Sequence, residues 1–110
     1  VVQGDIRSFA NAKKSIFTHV LHVAAGGSSS LKADEFLFDN IVEGTRNILN
    51  VARDSGVKSF LYVSSGGVYG RQPNSLDFID EDCPIWPNQN KSSYANIYGV
   101  SKRAAETLVA

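Results

Sequence analysis

Phe17-Thr18-His19-Val20-Leu21-His22-Val23-Ala24 and Ser59-Phe60-Leu61-Tyr62-Val63 flank a long amphipathic stretch, and these three segments together decide the fold. Val20, Leu21 and Val23 make the first segment nearly continuous in apolar residues, the pattern of a strand in a sheet covered on both faces. Between the two strands, Leu37, Ile41, Thr45, Ile48, Leu49 and Ala52 recur every three or four residues. That periodicity predicts a helix from Asp34, as N-cap, to about Asp54, with one buried stripe. Gly56 stands where a left-handed C-cap is expected. Strand, helix and strand within this length predict a βαβ unit with parallel strands.

Working outward, both strands end in small residues: Ala24-Ala25-Gly26-Gly27 and Ser64-Ser65-Gly66-Gly67. In parallel sheets ligands sit beyond the carboxyl ends of the strands, and small residues there let a ligand approach the backbone. An ordinary flexible exit loop would read the same way at either place alone; their coincidence at one rim favours a site. Further on, Tyr98-Gly99-Val100-Ser101-Lys102 opens a predicted helix running from Tyr98 to Ala110. Four residues make about one turn, so Tyr98 and Lys102 share a face. An ammonium close to a phenol favours the phenolate and makes it usable as a proton-transfer group near neutral pH. A Tyr-x-x-x-Lys pair also arises by chance, so its weight depends on its surroundings.

The remaining stretches bound the function. At 110 residues and 43% hydrophobic content, the chain is at most one domain. Its formal net charge is zero and it has no basic run, so neither nucleic acid nor an anionic membrane is indicated as partner. No apolar run is long enough to span a bilayer. Gly4, Asp5 and Arg7 break up the start, so it does not read as a signal peptide. The lone Cys83 excludes an internal disulfide and fits a reducing compartment. Val1 to Gln3 reads as a strand end, and Asp5 or Ser8 as a cap for a short helix from about Phe9 to Ser15. Arg71 to Asn90 is a long polar loop of the kind that often serves a binding site. Its acidic patch, Asp80-Glu81-Asp82, reads as solvated surface, and Trp86 as an interior anchor. His19 and His22 alternate with apolar residues and lack ligand spacing, so they read as buried or edge histidines and no metal site is assigned. The opening without methionine and the helix still running at Ala110 suggest the middle of a longer protein.

Taken together, the chain resembles the extended short-chain dehydrogenase/reductases, in particular the NAD-dependent sugar-nucleotide epimerase/dehydratase family. The matching pieces are Gly4-Asp5-Ile6-Arg7, His22-Val23-Ala24-Ala25, Gly44-Thr45-Arg46-Asn47-Ile48-Leu49, Gly56-Val57-Lys58, Val63-Ser64-Ser65-Gly66-Gly67-Val68-Tyr69-Gly70 and Tyr98-Gly99-Val100-Ser101-Lys102. They come in family order and spacing. The resemblance implies an α/β fold, part of a Rossmann-type doubly wound parallel sheet. Residues 1–110 would be the central part of one NAD(P)-binding domain, without the N-terminal Gly-rich βαβ unit and the C-terminal substrate domain. It implies Ser65, Tyr98 and Lys102 as catalytic residues, with Tyr98 as general base during hydride transfer. It implies cofactor contacts from Asp5, Ile6, Val23, Ala24, Ala25, Asn40, Tyr98 and Lys102. The cofactor would be NAD, with NADP open, and the substrate a nucleotide sugar.

Two departures refine this expectation. The family usually carries asparagine three residues before the Gly-Thr pair; here that place is Ile41, and Asn40 lies one further back. Dehydratases of the family place acids directly after the catalytic Ser/Thr; here those positions are Gly66 and Gly67, which cannot transfer protons. Epimerisation or simple redox is therefore favoured over 4,6-dehydration. Reduction or oxidation of a hydroxysteroid- or flavonoid-like ketone or alcohol, and a non-catalytic NAD(P)-binding role, stay as alternatives. The resemblance further implies a cytoplasmic enzyme, a homodimer through the helices at about 34–54 and 95–110, and little cofactor affinity or activity in this stretch alone.

Overall fold

The structure, a computed structural model, describes residues 3–10, 17–24, 33–86 and 94–110. Strand β1 spans His19–His22, helix α1 Ala33–Asp54, strand β2 Ser59–Tyr62 and helix α2 Tyr94–Val109, with a single 3-10 turn at Gly66–Tyr69 between β2 and α2. β1 and β2 pair in parallel, His19 against Ser59 through His22 against Tyr62. Backbone bonds extend the ladder at both ends, from Lys58 N to Thr18 O at 2.8 Å and from Val63 N to His22 O at 3.1 Å. The βαβ unit expected from the sequence is therefore present.

Successive strand residues point to opposite faces. His22 and Tyr62 turn toward the helices, where Leu37 and Ile41 of α1 meet Ala105 of α2, with Tyr62, Ile97 and Tyr98 packed against them. The alternate positions Leu21, Val23, Leu61 and Val63 are exposed on the other face. Among the described residues, helices thus cover one face of the sheet, where the apolar run of β1 predicted cover on both.

Helix α1 begins at Ala33, so Asp34 lies inside its first turn rather than at its cap. Its C-terminus is as predicted: Gly56 has φ 70°, and Val57 N reaches back to Ala52 O at 3.0 Å. That glycine supplies the left-handed residue that lets the last carbonyls find donors. α2 begins at Tyr94, a turn before the predicted start at Tyr98. Asp5 caps a turn at Ile6–Ser8, with Ser8 N bonded to Asp5 O at 3.1 Å, and Phe9 and Ala10 are not helical. The rest of the predicted helix to Ser15 lies outside the described residues.

Within the long loop, Trp86 is half-buried and its backbone N–H donates to Tyr69 O at 2.8 Å, which ties the loop back to the 3-10 turn. Asp80, Glu81 and Asp82 are exposed, as a solvated acidic patch requires.

Candidate active site

The parallel register sets His22 opposite Tyr62, so the chain leaves both strands at one rim, with Val63 N bonded to His22 O. Ser65 is extended, at φ −158° and ψ 147°, and its Oγ accepts from Gly67 N at 3.2 Å. That bond caps the 3-10 turn and leaves the hydroxyl proton for a substrate oxygen. α2 seats directly on this turn. A side chain at Gly99 would overlap the Gly67 carbonyl oxygen, so only glycine permits the approach. A methyl group at Gly67 would lie 3.5 Å from Ser65 Oγ and 3.9 Å from Tyr98 Cδ1. Ser65 and Tyr98 therefore flank one glycine.

Lys102, one turn beyond Tyr98 on α2, is 1% exposed. Its Nζ donates to Val63 O at 2.8 Å, at the very end of β2. The ammonium also lies 4.7 Å from the centroid of the Tyr62 ring and 5.8 Å from that of Tyr98. A cation over an aromatic face is attracted by the ring quadrupole. Burial pushes the Lys102 amine below its usual range, and the Glu106 carboxylate pulls the other way. The three residues expected to carry catalysis thus converge on one rim, joined through Gly67 and the end of β2.

Beneath them lies a buried polar cluster. His22 is 4% exposed, and its Nε2 is 2.9 Å from Thr45 Oγ1 on α1. Burial pushes His22 below its ordinary value, and the nearby Lys102 charge adds to this. His22 also packs on Tyr62, with ring centroids 5.4 Å apart. Burial pushes the Tyr62 phenol up to about 12, opposed by the Thr45 hydroxyl. Tyr62 Oη is buried without a hydrogen bond of standard geometry among the described residues. Thr45, read from the sequence as one member of the apolar stripe, is in fact the polar tie between α1 and β1. Its spacing could not reveal this, because the partner lies in another element.

Three of the residues expected to contact the cofactor share a cleft along β1. Ile6, Val23 and Ala24 line an apolar cleft of about 330 Å³ between the Ile6–Phe9 segment, β1 and α1. Asp5 adjoins it, its carboxylate held by the Arg7 guanidinium, with Nη2 to Oδ2 at 2.6 Å. That pairing holds the Asp5 carboxyl down at about 2. Asn40 is half-buried on α1, while Ile41 beside it is in the core near Tyr98. Ala25 lies outside the described residues. Asn47 was singled out only as part of a matching stretch, yet its Nδ2 bonds both Ile6 O and Phe9 O. A half-buried amide beside an apolar stripe was the available signal.

The profile of the NAD dependent epimerase/dehydratase family matches residues 1–110. The chain is 39% identical over 79 residues to UDP-glucose 4-epimerase of Klebsiella pneumoniae, an alignment covering 66% of this chain and 56% of that protein. It is 40% identical over 94 residues to dTDP-D-glucose 4,6-dehydratase of Mus musculus, covering 82% and 23%. Among solved structures it is similar to a short-chain dehydrogenase/reductase superfamily protein from Agrobacterium tumefaciens with bound NAD. That match has a TM-score of 0.67 and 35% identity, over 84% of this chain and 26% of the other. The chain thus spans between about a quarter and just over half the length of these proteins.

Proposed function

The chain belongs to the NAD-dependent epimerase/dehydratase family, and from that premise we propose that its protein is a nicotinamide-dinucleotide-dependent epimerase or oxidoreductase acting on a nucleotide sugar. The observation that carries this reading is the convergence of Ser65, Tyr98 and Lys102 around Gly67 and the end of β2. A bound nicotinamide would supply the hydride chemistry. Tyr98 takes the proton from a sugar hydroxyl as general base. Ser65 donates to the reacting oxygen and holds it in line. Lys102, held by Val63 O, carries its ammonium 5.8 Å from the Tyr98 ring centroid. The residues present suit the apolar part of such a cofactor: Ile6, Val23 and Ala24 line an apolar cleft, and Asp5 precedes Ile6 in the chain. NAD is the reading the family description favours.

Between the reactions of the family, Gly66 and Gly67 favour epimerisation or redox over 4,6-dehydration, since neither can remove and return a proton. Space does not impose glycine at Gly66, where a Cβ would meet nothing within 4 Å. Phe36 and Phe38 on α1 and Val100 on α2 are exposed, which supports a homodimer through these helices. No helix of the described residues is long and apolar enough to cross a membrane. With the single cysteine, we place the protein in the cytoplasm.

The test is Tyr98→Phe in the full-length protein. Turnover of the nucleotide sugar should fall by about a thousandfold or more, while the Kd for NADH stays within about twofold. Turnover retained near the wild-type rate would defeat the assignment of Tyr98.

A further inference from the structure

Asn47 stands on α1 one turn past Gly44. Its side-chain amide has two N–H donors. One goes to Ile6 O at 2.9 Å and the other to Phe9 O at 2.8 Å, both backbone carbonyls of a segment some forty residues upstream. Gly44 completes the seat: a Cβ there would come within 2.8 Å of Ile6 Cγ2, so Ile6 rests on bare helix backbone. On the outer side, Asp5 Oδ1 accepts from Arg7 N at 2.9 Å, and the Arg7 guanidinium lies 4.9 Å from the Phe36 ring centroid. The segment is therefore gripped from within by Asn47 and from without by the Asp5–Arg7 pair.

Among uncharged side chains of this length, only asparagine offers two donors. Aspartate has no donor when ionised and would face two carbonyl oxygens, serine has one donor, and leucine has none. Ile6 and Phe9 of the gripped segment line the cleft together with β1 through Ala24 and with Ile48 and Val51 of α1. A wall ordered beforehand spares a ligand the cost of ordering it on binding.

We propose that Asn47 is a positioning residue for the adenosine half of the dinucleotide. It holds the Asp5–Ile6 segment in the place where that half is bound, without touching the cofactor itself. This rests on the reading of the cleft as the dinucleotide site. The consequence is selective: the contribution of Asn47 goes to the half of the cofactor that meets Asp5 and Ile6, and none of it to the nicotinamide half near Lys102.

The test uses the full-length protein and the fluorescence of reduced nicotinamide. Kd is measured for NADH and for reduced nicotinamide mononucleotide, which lacks adenosine, in wild type, Asn47→Leu and Gly44→Ala. The second variant keeps the amide but displaces Ile6, so it serves even where Asn47→Leu does not fold. Asn47→Leu should weaken NADH by about tenfold, the scale of two neutral hydrogen bonds, Gly44→Ala should weaken it in the same direction, and both should leave the mononucleotide unchanged. An unchanged NADH affinity in the folded variants overturns the inference, and so does equal weakening of both ligands, which would mark a general structural role. Wild-type protein that binds neither NADH nor NADPH would instead overturn the reading of the cleft, and the inference with it.

Discussion

His22 illustrates what a single position can and cannot disclose. Its alternation with apolar neighbours marks it as a buried or edge histidine, and it is buried, but Thr45 as its partner is a fact of packing. Its charge behaviour follows from that burial. With the folded value held below the ordinary one of about 6.5, the native state takes up fewer protons than the unfolded chain in acid. The stabilisation is complete above pH about 6.5 and is lost as the pH falls through the folded value. Urea denaturation of the full-length protein at about pH 7 and pH 5 should show this loss, and His22→Gln should flatten it. An equal slope in both proteins would mean the imidazole is solvated in the native state. Ser65, Tyr98 and Lys102 were all legible as residue types in a spacing. That Lys102 caps the end of β2 while Ser65 and Tyr98 share a glycine was not, since those contacts join separate elements.

Elements were legible in proportion to how local their causes are. The stripe of α1 and its glycine cap are set within a few residues, and both appear where the pattern puts them. The start of α2 was not, because the stretch before Tyr98 carries no proline, glycine or strong apolar periodicity to mark a boundary. The seat of α2 on the 3-10 turn depends on Gly99, where two effects compete. Alanine would favour the helix by about 0.5–1 kcal/mol over glycine. Its methyl group would, however, overlap the Gly67 carbonyl, and overpacking of this kind costs about 1–3 kcal/mol. The obstacle is backbone and cannot rotate away, so the steric cost wins. Gly99→Ala is expected to lower the urea midpoint of the full-length protein and slow turnover by moving Tyr98. A raised midpoint would show that α2 does not rest on the turn.

At the scale of the whole molecule, the sheet is one-sided among the described residues, with Leu21, Val23, Leu61 and Val63 exposed together. Parallel sheets are normally covered on both faces, and the chain spans only part of the length of its relatives. Leu61 and Val63, which do not line the cleft, are therefore expected to be covered in the intact protein. Leu61→Glu there is expected to cost about 2 kcal/mol or more in urea denaturation, whereas a solvated position changes stability by within about 0.5 kcal/mol. A change of that smaller size would mean that this face meets water. Residue pattern by itself fixed the βαβ unit, the glycine C-cap of α1 and the kinds of residue at the rim, because each depends on periodicity or conformational preference over a few neighbours. Only the tertiary structure decided that Asn47 grips the Ile6–Phe9 segment, that Thr45 meets His22 and that glycines let α2 touch the turn. Those contacts join residues far apart along the chain, and no local pattern encodes the distance between them.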